Sequence, residues 1–184
     1  LSVLSGSNPM RLDMVSMAWD KPRPLPDLKA ASFPTPTYVY NIMNQDHHAD
    51  PQADLVIIIP TSQKLLKQAQ RLKAFHEQHD SLKVNLVPAD ELFNEFSSGT
   101  PDASAYRRYM KMLYDRATGE DDRPKYLLLF GDCLWDNRMI TSYNTGKNPD
   151  DYLLAFESEN SYDRRVCYID DSFHAMLDDG EGLR

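Results

Sequence analysis

Three short and almost purely apolar runs constrain this chain more than any other feature. They are DLVIIIP (54–60), LKVNLVP (82–88) and KYLLLF (125–130), and segments with helical periodicity separate them. Strands that are apolar along their whole length are typical of a parallel sheet that is covered on both faces. Parallel neighbours must be joined by crossovers, which are usually helical. The order therefore predicts an α/β fold in which a parallel sheet is sandwiched by helices, with three layers in all.

Three helices are predicted between these runs. Thr61 or Ser62 caps the first, which continues through Gln78, and a short helix follows in ADELFNEF (89–96). The last is amphipathic and has Asp102 as its N-cap. Apolar residues three or four apart mark the faces that pack on the sheet. In the first helix they are Leu65, Leu66, Ala69, Leu72 and Phe75, and in the last they are Tyr106, Tyr109, Met110 and Leu113.

Residues 1–50 differ in character from the rest of the chain. RLDMVSMAW (11–19) alternates apolar and polar residues as a strand does, and TYVYNIM (37–43) resembles a second short strand. The connector between them carries five prolines, which favour an extended backbone. We interpret residues 1–50 as a β or extended segment that is a linker or the tail of a preceding domain. Residues 51–184 form the α/β part, with shorter strand candidates at 152–158 and 166–171.

The bulk composition excludes two classes of function. The formal net charge is −8 and no run of Lys or Arg occurs, so binding to nucleic acid is not expected. The longest strongly apolar run, LVIIIP, is far too short to span a bilayer, so no transmembrane segment is expected here. The chain starts at Leu1 without a signal-peptide pattern, and we interpret it as an excerpt from a longer protein.

The loops that follow parallel strands meet at one edge of a sheet, where α/β proteins bind ligands. Asp132 and Asp136 follow the third run directly and could bind a cationic group or a metal ion. The alternative for Asp132 is that its carboxylate caps the following turn. The full set of side chains predicted at this edge is Thr61, Ser62, Pro88, Asp90, Asp132, Cys133, Trp135 and Asp136.

Cys133 raises the possibility of a thiol nucleophile, which would need a histidine as its base. No histidine follows a neighbouring strand, and His174 is the least unsuitable candidate. The flanking carboxylates and apolar neighbours predict a thiol pKa at or above that of a free cysteine. His76 and His79, at i and i+3, are predicted to face solvent, although such a pair can bind a metal weakly. The complete set of histidines is His47, His48, His76, His79 and His174.

Acidic residues are concentrated near the end of the chain. Their oxygen atoms suit calcium, although the spacing of an EF-hand loop is absent. A solvated acidic loop is the alternative. If these loops converge, calcium is the expected cofactor. The candidate ligands are Asp170, Asp171, Asp178, Asp179 and Glu181.

Several stretches together resemble a known family. ADLVIIIP with its helix, ADELFNEFSSGTPDASAYRRYMKMLYDRA and PKYLLLFGDCLWDNR are similar to the first half of the gingipain-like cysteine peptidase domain. CYIDDSFHAMLDDGEG and NQDHH add to this resemblance, which covers residues 40–184 approximately. At Cys133 the sequence departs from the family pattern, which has a small residue such as Gly there. The resemblance therefore does not support Cys133 as the family nucleophile.

The resemblance implies a caspase-like fold and a peptidase that attacks peptide carbonyls with a cysteine thiolate. The catalytic histidine and cysteine of the family follow later strands, so no catalytic residue is assigned here and this piece is expected to be inactive alone. Asp132 and Asp136 are expected in one wall of the substrate cleft. The implied partners are a protein or peptide substrate and the remaining half of the peptidase domain. Within the family, the features are closest to a cell-surface sortase of type IX secretion in Bacteroidetes, which cleaves carboxy-terminal signals.

Two other functions stay open on the residues alone. The first is a non-catalytic, peptidase-like domain that binds or assembles proteins at the cell surface. The second is a receiver-like α/β module that binds a small molecule, since its acidic strand ends are compatible with magnesium. No lysine-bearing strand end accompanies those acids, which makes the second less favoured.

Overall fold

The computed structural model describes residues 2–3, 12–13, 44–157 and 169–181. The chain divides into two compact units, residues 1–43 and 44–184. In the first unit, β1 (Ser2–Val3) pairs with β2 (Leu12–Asp13) in antiparallel register. The rest of the strands predicted at 11–19 and 37–43 lies outside the described residues. That this unit is a linker or the tail of a preceding domain stays a prediction.

The second unit is built on a parallel sheet with the strand order β4-β3-β5. Its strands are β3 (Leu55–Ile59), β4 (Val84–Pro88) and β5 (Tyr126–Leu129), and its helices are α1 (Leu66–His79), α2 (Ala89–Phe96) and α3 (Ser104–Asp115). The predicted α/β class, with a parallel sheet flanked by helices, is confirmed. In the part of the chain that the structure describes, none of the helices combines the length and the apolar character needed to cross a bilayer.

The central strand β3 separates the core into two layers. Leu55, Ile57 and Ile59 pack on the α1 side, where Ala69 is fully buried. Val56 and Ile58 face the opposite layer, which holds the buried faces of α2 and α3. Successive side chains of a strand point to opposite faces, so a strand that is apolar throughout can serve both layers at once.

Helix α3 follows the prediction closely. Tyr106, Tyr109, Met110 and Leu113 are all buried against the sheet layer. The helix begins at Ser104, two residues after the predicted cap, but Asp102 still accepts a hydrogen bond of 2.9 Å from the Ser104 N–H. Asp102 therefore satisfies one of the free N–H groups of the first turn, as an N-cap does.

The predicted start of α1 is wrong. The helix begins at Leu66, and neither Thr61 nor Ser62 caps it. The Ser62 N–H donates to the Asp150 carbonyl at 2.8 Å, and the Lys64 ammonium lies 2.7 Å from the Asp151 carboxylate. These contacts hold residues 61–65 as a turn against a loop far along the chain, which prevents the helix from starting earlier.

The predicted inward position of Phe75 is also wrong, since its side chain is 51% exposed. Its ring lies 4.5 Å from the His79 ring and 5.5 Å from the His76 ring, centroid to centroid. Leu66 and Leu72 reach the sheet layer and are half-buried. The first two turns of α1 therefore pack on the core, while Phe75 packs on the imidazoles of His76 and His79 at the surface.

Strand β5 is less buried than its apolar sequence predicts. Tyr126 is 56% exposed, and Leu127, Leu128 and Leu129 are only partly buried. The physical reason is its place in the sheet, because β5 pairs only with β3 among the described residues and its other side carries no strand there.

Two further strands follow the sheet. β6 (Cys133–Leu134) pairs in parallel with β7 (Leu153–Leu154), so the strand predicted at 152–158 is only two residues long. Residues 166–168 of the strand predicted at 166–171 lie outside the described residues, and in the described remainder Ile169 forms an antiparallel bridge with Glu157. A 3-10 helix, Asp171–Ala175, replaces its end, because the Asp170 side chain accepts a hydrogen bond from the Ser172 N–H and caps that turn.

Candidate functional site

A cleft of about 600 Å³ opens where the segments that follow β6 and β7 meet the start of α3. Trp135 and Ile140 expose large apolar surfaces there, and Arg138 and Glu157 add one charge of each sign. Apolar surface with a few polar groups is the usual make-up of a ligand cleft. The residues that line the cleft are 101–104, 135–138, 140 and 154–157.

Asp136 lies in the wall of this cleft, but its carboxylate is turned into its own loop and is only 5% exposed. It accepts hydrogen bonds from the N–H groups of Ile140 and Thr141, at 3.2 and 2.8 Å, and from the Asn144 amide at 2.9 Å. Burial alone would raise the pKa of Asp136, but these hydrogen bonds lower it to about 2. Asp136 therefore shapes the loop that bears Ile140, with both carboxylate oxygens engaged inside that loop.

Asp132 does not line the cleft. Its side chain is exposed and accepts a hydrogen bond of 2.9 Å from the Cys133 N–H, while its carbonyl accepts one from the Leu153 N–H. The carboxylate thus closes the turn after β5, which is the alternative that the sequence left open. Asp136 thus lines this cleft and Asp132 does not, and a place for either acid in the wall of a substrate cleft stays a prediction.

Asn137 is a cleft residue that the sequence analysis missed. Its side-chain amide forms two hydrogen bonds with the backbone of Ala155, of 2.7 and 2.9 Å, and so substitutes for a strand partner. The same amide approaches the Glu157 carboxylate at 3.4 Å. Burial, followed by the negative charge of Asp136, raises the pKa of Glu157. An Asn after a strand indicates only a turn, so no signal in the sequence pointed to these partners.

Cys133 is half-buried and forms no disulfide in the described residues. Burial raises its pKa, and the charges of Asp171 and Asp132 raise it further, in agreement with the sequence prediction. His174 is buried with neither ring nitrogen hydrogen-bonded within the described residues, and burial lowers its pKa. The structure therefore gives no hydrogen-bonded cysteine–histidine pair in residues 44–157 and 169–181.

The other predicted edge residues do not form a ligand site with the cleft. Pro88 is buried, and one carboxylate oxygen of Asp90 is buried without a hydrogen-bond partner in the described residues. Burial raises the pKa of Asp90. The predicted pair His76 and His79 shares no partner in the described residues, because the His76 Nδ1 lies 2.6 Å from an Asp80 carboxylate oxygen while His79 is exposed.

The acidic residues near the end of the chain are engaged separately. Tyr114 donates its hydroxyl to Asp178, and the Lys111 ammonium lies 2.9 Å from the Asp179 carboxylate. Glu181 accepts a hydrogen bond of 3.0 Å from the Asp178 N–H. In the described ranges no three ligand atoms from these acids lie close enough together to hold one ion. Calcium binding by this segment stays a prediction.

The family to which the chain belongs is established by its match to a family model. The model of peptidase family C25 matches residues 48–182. The chain belongs to this family. The resemblance to the gingipain-like peptidases, seen in the sequence, is thereby confirmed, and the family's fold agrees with the parallel sheet and its helices.

A solved structure supports the same conclusion. The chain is similar to dimeric latent PorU from Porphyromonas gingivalis, with 37% sequence identity and a TM-score of 0.64. The match covers 76% of this chain and 13% of the PorU chain. The chain thus spans a small part of the PorU length. No curated protein matches it.

Proposed function

We propose that this chain is the amino-terminal part of the peptidase domain of a cysteine peptidase, one that acts as a PorU-like sortase of type IX secretion and cleaves carboxy-terminal signals. The observation that carries the proposal is the C25 match over residues 48–182, joined to 37% identity with PorU. The place of action would be the cell surface. The chemistry would be attack of a thiolate on the peptide carbonyl, with a histidine transferring the proton.

The described residues would contribute a scaffold and one wall of the cleft. Trp135 and Ile140 offer apolar surface to an extended polypeptide, and Arg138 offers a cation. Cys133 is excluded from the role of nucleophile in this proposal, because its pKa is raised and no histidine in the described residues is bonded to it. The substrate class is a protein or peptide, as it is for the family.

The test uses the complete protein that contains this chain. We expect it to remove a carboxy-terminal secretion signal from a fusion protein, in a reaction that iodoacetamide blocks and mass spectrometry follows. Trp135→Ala should raise KM with little change in kcat, because the side chain lies in the cleft but carries no chemistry. Tyr143→Ala is the matched control, since Tyr143 is exposed and outside the cleft.

The same assay separates the alternatives. Cys133→Ser should leave cleavage intact, and the 184-residue chain alone should cleave nothing. Binding of the signal without any cleavage by the complete protein would favour a non-catalytic binding or assembly domain. Inhibitor-sensitive cleavage by the chain alone would contradict the assignment of catalysis to residues outside it.

A further inference from the structure

Residues 44–50, here called the leading segment, are held against α2. The Gln45 amide donates to the Glu91 carbonyl and to the Glu95 carboxylate, both at 2.7 Å. The backbone N–H of His47 donates to the same Glu95 oxygen at 2.9 Å. The segment is thus folded around the carboxylate of Glu95 before the chain enters β3.

Glu95 is a carboxylate with a fixed orientation. Its side chain is 14% exposed, and its second oxygen accepts hydrogen bonds from the His48 N–H at 3.2 Å and the His48 Nδ1 at 2.8 Å. Both oxygens are therefore positioned by neighbouring donors. The Gln45 amide and the N–H groups of His47 and His48 can keep their positions when an ion binds, whereas the His48 Nδ1 contact is given up if that nitrogen binds the ion.

The His48 imidazole is oriented as well, but it remains open to solvent. Its ring stacks on Phe96 with the centroids 4.5 Å apart and the planes 16° from parallel. The side chain is nevertheless 58% exposed, so an ion can reach it without any opening of the core.

Asp46 completes a group of three ligands. One ligand atom from each of Asp46, His48 and Glu95 lies within 4.8 Å of the other two, and this is the one group of its kind in the described part of the chain. Ligands of a tetrahedral zinc ion lie about 3.4 Å apart, from bond lengths of about 2.0–2.2 Å, so only a small closure of two exposed side chains is required.

The donor set and the local field both favour a divalent transition metal. One imidazole nitrogen and two carboxylate oxygens suit zinc and its first-row neighbours, whereas calcium takes oxygen ligands only. Glu95 and Phe96 belong to the last turn of α2, where the helix dipole places partial negative charge. A cation bound there would also offset the two carboxylate charges.

We propose that Asp46, His48 and Glu95 bind a divalent transition-metal ion of the zinc class, with water completing its coordination. The ion joins the leading segment to α2. Because Asp46 and His48 precede β3 while Glu95 lies on α2, the site exists only when the domain is folded. The ion therefore stabilises the folded chain by mass action.

The test is calorimetric titration of the 184-residue chain with zinc chloride, after removal of metal with a chelator. A Cys133→Ser, Cys167→Ser background removes both thiols, which would otherwise compete for zinc. We expect one ion per chain and a zinc-dependent rise in melting temperature. Asp46→Asn and His48→Gln should each weaken zinc affinity at least about tenfold, the smallest loss usual when a partner of a metal site is removed.

His79→Gln is the matched control, because His79 is an exposed histidine outside the proposed site. Its zinc affinity should equal that of the parent. If His48→Gln fails to fold, Asp46→Asn decides the question, since the Asp46 carboxylate accepts no hydrogen bond from another described residue. Visible absorption of bound cobalt(II) should disappear in the same two variants. The proposal would be overturned if the chain did not bind zinc. It would also be overturned if neither Asp46→Asn nor His48→Gln weakened zinc binding, or if only His79→Gln did.

Discussion

Gly131 lies so close to Pro60 that a Cβ atom on it would stand 2.8 Å from the Pro60 Cγ and 3.3 Å from the Leu153 Cδ1. Gly131 follows β5, and Pro60 follows the neighbouring strand β3. The loops that leave two adjacent strands are thus in direct contact, and the loop that contains Gly131 leads into β6. The absence of a side chain at residue 131 is what permits this contact.

Gly131→Ala is therefore expected to destabilise the chain by roughly 1–3 kcal/mol, the usual cost of inserting a carbon into a closely packed region. Urea unfolding measures this free energy. Gly119→Ala is the matched control, because no atom lies within 4 Å of a Cβ at that position. Equal stability of the two variants would show that Pro60 yields freely and that the contact does not constrain the loops.

Asp136→Asn is expected to lower the melting temperature and to make the melting temperature depend less on pH in the acid range. The folded pKa of Asp136, about 2, lies below its ordinary value of 3.8, because hydrogen bonds to the charged form outweigh burial. A lowered folded pKa contributes stability that is present above pH 3.8 and is lost as the pH falls towards 2. Thermal unfolding between pH 6 and pH 2 checks this.

Asp121→Asn is the control for that experiment, because Asp121 is exposed and its carboxylate accepts no hydrogen bond from the described residues. It removes the same charge without removing a loop contact. If both variants changed the acid dependence equally, the effect would belong to net charge and not to the Asp136 loop.

Cys133 is expected to react slowly with iodoacetamide in the folded chain. Burial and the charges of Asp171 and Asp132 raise its pKa, so little thiolate forms at neutral pH. Asp132→Asn should lower the pKa of the thiol and increase the rate, while its amide oxygen can still accept from the Cys133 N–H. Mass spectrometry across pH, with Cys133→Ser to subtract the contribution of Cys167, measures the rate. Rapid alkylation of Cys133 near pH 6 would contradict the expectation.

Calcium binding by the acidic residues 170–181 requires their carboxylates, which are engaged separately in this structure, to converge on the ion, and their oxygen donors suit calcium. Calorimetric titration with calcium should show heat that Asp178→Asn reduces and Asp46→Asn leaves unchanged. Zinc should show the opposite pattern if the site at Asp46 exists. Loss of calcium binding in Asp46→Asn would mean that a single site takes both ions.

Local patterns predicted those features that depend on a single element. The spacing of Tyr106, Tyr109, Met110 and Leu113 was enough to identify the buried face of α3, because helical geometry alone brings these side chains to one side. Three apolar runs were likewise enough for a parallel sheet between helices.

Features that depend on a second element were not predicted. The start of α1 is determined by Asp150 and Asp151, which lie far along the chain and hold Ser62 and Lys64 in a turn. The cleft role of Asn137 depends in the same way on Ala155. Neither partner can be inferred from the spacing of residues near the site.

The sequence by itself determined the α/β class, the kinship with peptidase family C25 and the buried face of α3. Only the tertiary structure decided that β5 has one partner strand in the described residues, that Asp136 points into its own loop, and that Asp46, His48 and Glu95 meet. The physical reason is that periodicity reports how a side chain is placed on its own element. Burial, hydrogen bonding and metal-ligand geometry depend on which other element the fold brings beside it.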